Sequence, residues 1–281
     1  MNSRTLTIAR EDFRRALRSR LLWGTFTLIS LLMIPTFWQS LRGGTFTVRE
    51  KITYIPYDFR MYVVILVAVV TYNAIVSERE KGTIRLLIGL PGTRRDVILG
   101  KLISRVSLVL ITLVPILFIL DVILAVKYGT LYLDTYLPIA FWIIAYGVLW
   151  SGFTVGLSAM FSSRYRTLAA LTCTYLFFSS MVDIWSTLVL PVFSFLFTGT
   201  FSTRWYSSLG TGTEPLWVGF TGRLNPISAF LAGSEWIVSL TTSTISTTHL
   251  LPNLFGIMVL AFFGGGPLIV GYWRFCQVDL T

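Results

Sequence analysis

Charge is what this 281-residue sequence has least of. Asp, Glu, Lys and Arg make up only 13% of it, where an ordinary soluble domain carries about a quarter. Hydrophobic residues make up 54%, and the mean hydropathy is +0.72. A soluble fold could not cover its surface with so few charges, so the composition excludes one. Side chains that bind metals or form crosslinks are equally scarce. The single histidine, His249, has no ligand partner nearby and reads as a polar residue at a helix start. Cys173 and Cys276 stand far apart, each in or beside an apolar stretch, which argues against a disulfide framework and against a zinc site.

A phosphate-binding loop is missing as well. Gly100-Lys101 is followed by Leu102 and lacks the upstream glycine of the pattern G-x-x-x-x-G-K-[ST], and Lys81-Gly82 has the wrong order. ATP hydrolysis, if it drives this protein, is therefore expected on another chain, and nothing speaks for a cofactor on this one. An intramembrane enzyme would need a paired acid and base, an activated nucleophile or metal ligands at membrane depth. One histidine and isolated aspartates do not supply them.

What is present is apolar length. A membrane-crossing helix needs about 20 mostly apolar residues, and uncharged runs of near that length occupy 21–41, 61–77, 106–126, 135–161, 167–190 and 250–273, with Asp121 and Asp183 as interruptions. The expected fold is all-α: a polytopic membrane protein forming one permease-like domain over 1–281, with six transmembrane helices. The first run is longer than the roughly 7–15 residues of a signal-peptide core, and no small-residue cleavage site follows, so it reads as a retained span. Asp183 costs about 2.5–3.5 kcal/mol at mid-membrane, which its Leu, Ile, Val and Phe neighbours offset.

The net charge is +10, but the basic residues fall in short blocks between the apolar runs. That pattern orients a membrane protein, and no basic face interleaved with aromatics suggests nucleic acid. The larger share, including Arg4, Arg10, Arg14, Arg15, Arg18, Arg20 and the basic residues of 79–105, lies on one side. Both termini are therefore expected in the cytoplasm, with the chain in the cell membrane. Over 4–20, Leu6, Ala9, Phe13 and Leu17 form a helical stripe flanked by Arg10, Arg14 and Arg18, as in an interfacial helix on anionic lipid. The outer segment 191–248 reads as short helices at the outer interface, with Trp205, Trp217 and Trp236 at headgroup level. Its piece 224–240 holds Asn225, Pro226, Gly233 and Glu235 and is too polar for a seventh span.

Between the second and third spans runs IVSEREKGTIRLLIGLPGTRRDVILGK, residues 75–101. Ser77 with Glu80 reads as a capping box opening a short helix over 78–90, which Leu90, Pro91 and Gly92 stop; Thr93 with Asp96 makes a second start that runs into the third span. The helix has charges at its beginning and apolar Ile84, Leu87, Ile88 and Leu90 after them, a form suited to docking in a groove of another protein or to lying on lipid.

This run resembles the signature of the type-2 ATP-binding-cassette (ABC) permeases: S/G-E-R-E-x-G-T, a Leu-rich turn, L-P, a polar start to the next span and G-K. The basic N-terminal helix, the six runs and NPISAF (225–230) before the last span are similar to that family too, with the compact permeases that include the nitrous-oxide-reductase maturation permease as the nearest flavour. The resemblance implies a homodimer, or a pair with a similar permease, moving a substrate, with export favoured. Two copies of a separate ABC ATPase subunit would bind the ATP and Mg. It also implies that 78–90 is the coupling helix, with Glu78, Arg79, Glu80, Gly82, Thr83, Ile84, Arg85, Leu87 and Ile88 at the ATPase contact. The alternative is a force transmitter of the same fold acting on an outer partner protein without transport.

In the fifth run, Thr172, Tyr175, Ser179, Asp183 and Ser186 fall on one face at helical spacing. Such a stripe meets either a translocation path or another helix and avoids lipid. The resemblance, in which the second and fifth spans line the central cavity, adds Asn73 to this group.

Overall fold

The computed structural model describes residues 3–42, 46–80, 93–202, 215–242 and 250–277, and among these it is helical, with no strand. In chain order the helices are α1 (Ser3–Leu17), α2 (Arg20–Arg42), α3 (Val48–Thr53), α4 (Ile55–Thr71), α5 (Val76–Glu80), α6 (Arg94–Tyr128), α7 (Leu133–Met160) and α8 (Arg164–Phe178). A π-helical turn (Trp185–Val189) follows, then α9 (Leu190–Thr198), α10 (Leu216–Arg223), α11 (Pro226–Thr242) and α12 (Leu250–Gln277). Five helical stretches are long and apolar enough to cross a membrane: Arg20–Arg42, Val48–Glu80, Arg94–Tyr128, Leu133–Met160 and Leu250–Gln277.

Local chemistry sets several of the boundaries. Thr93 accepts from Asp96 N and the Asp96 carboxylate accepts from Thr93 N, so the expected capping box opens α6, which then continues without a break through the third apolar run. Gly129, with φ of 69°, ends it in the left-handed conformation that suits glycine. The second span begins earlier than its apolar run, since α3 and α4 carry the helix back to Val48.

α7 and α12 form the most extensive helix pair. Gly152 and Gly156 on α7 face Gly264, Pro267 and Gly271 on α12, and a Cβ on Gly156 would stand 2.4 Å from the Pro267 carbonyl carbon. Lipid gives no hydrophobic drive for helix association, so this close backbone approach supplies the attraction through dispersion. Around α7 lies the main core, with Trp150, Tyr146 and Phe230 fully buried.

α1 and the end of α12 sit at one end of the bundle. Thr5 of α1 donates to Asp96 at the start of α6, and Arg94 donates to the Phe275 and Cys276 carbonyls at the end of α12. The opposite end is marked by Lys51, Lys127 and Tyr128, which all donate to the Leu41 carbonyl where α2 stops. α7 finishes at the α1 end, where Arg79 reaches the Ala159 and Phe161 carbonyls, whereas α12 starts at the far end, where Asn253 meets Arg223. The chain must therefore pass from one end to the other between them.

It does so through a broken segment, and here the expected continuous fifth helix over 167–190 is corrected. α8 is 15 residues long, which gives about 22 Å at 1.5 Å per residue, short of the roughly 30 Å of a bilayer core. Ser179 is extended, Asp183 takes φ of 58°, and the π turn and α9 carry the chain on. The break is held by a neighbour. Asn225 Nδ2 donates 2.9 Å to the Phe178 carbonyl, while its Oδ1 accepts from the backbone of Ile227 and Ser228 and so caps α11.

The outer helices are also deeper than expected. At the α10–α11 turn, Thr221, Arg223, Asn225, Ile227 and Phe230 are buried, while the two outer ends, Leu216 and Leu240, are 56% and 66% exposed. The pair is a hairpin whose tip points into the bundle. Phe230 stacks on Tyr146 at 3.9 Å between centroids, in the middle of α7, and Trp142 Nε1 donates to its carbonyl. Trp217 stacks on Phe197 and Trp236 is half-buried on α11, while Trp205 and His249 lie outside the described residues.

Candidate functional site

At the α1 end, the start of the segment read as a coupling helix is tied into the bundle. Ser158 of α7 accepts from the backbone N–H groups of Ile75 and Val76 and so holds the beginning of α5. Ser77 does not form the expected capping box with Glu80; it donates to the Asn73 carbonyl from inside α5. Glu78 pairs with Lys101, and the same ammonium bonds Asp12 of α1 at 2.5 Å. Arg105 lies 3.2 Å from Asp12, and Ser104 donates to it at 2.7 Å. Lys101 is only 4% exposed. Burying a lone ammonium is costly, and the two carboxylates offset that cost. Burial works against the ionised form of Asp12, but Arg105, Lys101 and the hydrogen bonds from Lys101 and Ser104 outweigh it and hold the carboxyl below the usual range.

The other described members of the segment also turn inward. Arg79 donates to the carbonyls that end α7 and lies over the Phe275 ring. Glu80 accepts from Arg164 N, at 2.8 Å, satisfying an orphan donor at the start of α8. Glu78, Arg79 and Glu80 thus each contact this chain itself. Gly82, Thr83, Ile84, Arg85, Leu87 and Ile88 lie outside the described residues.

α1 packs against the protein along one face. Its buried line is Thr5, Ala9 and Asp12, against α6, with Ile8 over Gly100 where a Cβ would come within 2.9 Å. Leu6 faces outward, and Phe13 and Leu17 join the main core. The helix is anchored to protein on one side and keeps its arginines on the exposed side.

At the far end, a cavity of about 490 Å³ opens where the break in the fifth run meets the hairpin tip. Ser179, Asp183 and Ser186 line it, although the helix expected to align them is absent. Asp183 opens the π turn: its carbonyl accepts from Thr187 N, and its carboxylate accepts from Ser186 Oγ. Tyr175 lines an adjoining cavity of about 190 Å³. Thr172 is exposed on α8 and lines neither, and Asn73 stands apart from the group, in a third cavity below α1.

Several residues at these sites were not singled out from the sequence. Tyr57 and Arg60 from α4, Arg223 and Asn225 from the hairpin, and Glu235 from α11 complete the far cavity. Tyr57 donates to Glu235 at 2.8 Å; Arg223 is 6% exposed and donates to Asn253 Oδ1 and the Gly219 carbonyl. Arg60, Arg223, Lys101 and Arg105 count as topology charges when only the sequence is read. The available signal was their position: each stands inside or within a turn of a helix that then runs apolar.

A family model described as ABC-2 family transporter protein matches residues 6–280. No curated protein matches the chain.

Proposed function

The chain belongs to the ABC-2 family of transporter proteins, membrane permeases of ABC transporters, and we propose that it forms half of an export pathway driven by a separate ATPase subunit. Two copies pair about a two-fold axis through the first and fifth spans, and two ATPase subunits hold the ATP and Mg. The α1 end is cytoplasmic, in the cell membrane. The chain crosses six times, with the fifth crossing interrupted where the far cavity opens. That cavity, with Ser179, Asp183 and Ser186, belongs to the path of the substrate.

One observation carries this reading. The start of the 78–90 segment is tied to five helices at once: to α1 and α6 through Glu78, Lys101 and Asp12, to α7 and α12 through Arg79, and to α8 through Glu80. A push on the remainder of the segment therefore reaches the N-terminal helix, the third span and the interrupted crossing together.

The test uses the chain with its cognate ATPase. Alone it should hydrolyse no ATP, and the two should co-purify. Leu87→Asp places an unpaired carboxylate at the docking contact and should weaken association about 10-fold or more while leaving membrane expression normal. Glu80→Lys should act otherwise, lowering transport-coupled turnover by detaching the segment from α8 while ATPase binding persists. Wild-type association and transport in Leu87→Asp would sink the docking assignment.

A further inference from the structure

Asn73 is the polar residue of the second span that the far cavity does not take up, and its surroundings have a chemistry of their own. It lines a cavity of about 410 Å³ under the turn between α1 and α2, together with Asp12, Arg15 and Arg105. Leu21 and Val69 make the accessible apolar part of the wall, with Leu22 and Leu108 buried behind them. Asn73 Oδ1 and Arg105 Nε are enclosed and make no hydrogen bond among the described residues. Arg15 makes no ion pair among them either, since Glu11 pairs with Arg14 and Asp12 with Lys101 and Arg105. Two arginines against one aspartate leave one positive charge in excess, the complement of a single phosphodiester.

The cavity lies where the amphipathic helix meets the first span, with the exposed Arg10 and Arg14 on the same helix and Arg18 just past its end, an arrangement that suits headgroup level. We propose that it binds one anionic phospholipid: the phosphate against Arg15 and Arg105 Nε, a headgroup hydroxyl donating to Asn73 Oδ1, and an acyl chain along Leu21 and Val69. A free phosphate would satisfy the arginines but leave the apolar wall uncovered, and a zwitterionic lipid would bring no net charge to match the excess. The inference goes beyond the transport reading and does not depend on the ATPase partner.

The experiment is native mass spectrometry of the delipidated full-length protein, titrated with phosphatidylglycerol, with phosphatidylcholine of the same acyl chains, and with inorganic phosphate. One phosphatidylglycerol per chain should be retained at least about 10-fold more tightly than phosphatidylcholine, and inorganic phosphate should not displace it. Arg15→Gln and Asn73→Leu should each remove that preference, while Arg14→Gln, on the exposed side of the same helix, should keep it. Arg15→Gln changes an exposed position and should fold normally. Equal binding of the two lipids, an unchanged preference in Arg15→Gln, or displacement by inorganic phosphate would each overturn the proposal.

Discussion

At the α1 end of the bundle Lys101 sits between Asp12 and Glu78 with Arg105 beside them, whereas at the far end Arg60, Asp183 and Glu235 stand around a cavity of about 490 Å³. Both groups are charges in a chain that has few. The first is closed: carboxylates and cations touch, and burial strengthens their attraction. The second is open, with side chains from the start of α4, the break after α8 and the hairpin spread over a wall large enough for a ligand. The first group holds helices together through ion pairs, while the second lines a space wide enough for a ligand.

The contrast can be broken most severely at Lys101. Lys101→Met leaves Asp12 and Glu78 buried near each other without their shared cation, and should cost about 3–5 kcal/mol of stability. A thermal unfolding series in detergent reads it, and a loss under about 1 kcal/mol would mean that the junction is not cohesive. At the other end, Asn225→Ala removes both the α11 cap and the partner of the Phe178 carbonyl. About 2 kcal/mol should follow, with increased labelling of a cysteine placed at Ser180 as the break in the fifth run loosens. An unchanged labelling rate would mean that the break stands without Asn225.

Asp183→Asn sharpens the contrast by altering charge alone. Asparagine tolerates the left-handed backbone at this position and can still accept from Ser186, so stability should move by no more than about 0.5 kcal/mol. Transport should nevertheless fall if the carboxylate serves the substrate, and equal transport would remove it from the path. The smallest effect is with pH. Because the Asp12 carboxyl is held below its ordinary value, its contribution is fully present above about pH 4 and is lost as pH falls through the lowered folded value. The melting-temperature difference between wild type and Asp12→Asn should therefore be constant from about pH 8 to about pH 5 and shrink only in stronger acid. A difference that fades near neutrality would contradict the ion-paired arrangement.

The fourth and fifth apolar runs show how far the sequence could be read. Both are long and uncharged but for one acid. The fourth became one 28-residue helix because Gly152 and Gly156 let α12 lie against it along its length. The fifth split because the hairpin brings Asn225 to the Phe178 carbonyl and supplies the hydrogen bond that a continuous helix would otherwise have made internally. Nothing within 167–190 announces that partner, which lies 47 residues beyond Phe178. The same limit applies to the charged junction: Lys101 and Arg105 were legible as basic residues near a span, but their pairing with Asp12 spans |i−j| of 89 and 93.

The sequence by itself determined the all-helical membrane class, the low charge that forces it, the long apolar helices and the capping box at Thr93 and Asp96, together with the 75–101 motif that resembles the family. Those are properties of composition, period and short-range hydrogen bonding, and each is complete within a few turns of chain. Only the tertiary structure decided that α1 is anchored to α6, that Glu78 and Glu80 bond their own chain, that the α10–α11 hairpin points into the bundle, and that the fifth apolar run is interrupted beside a cavity. Each of these depends on groups distant in sequence satisfying one another where water is scarce, and that pairing exists only once the helices are assembled.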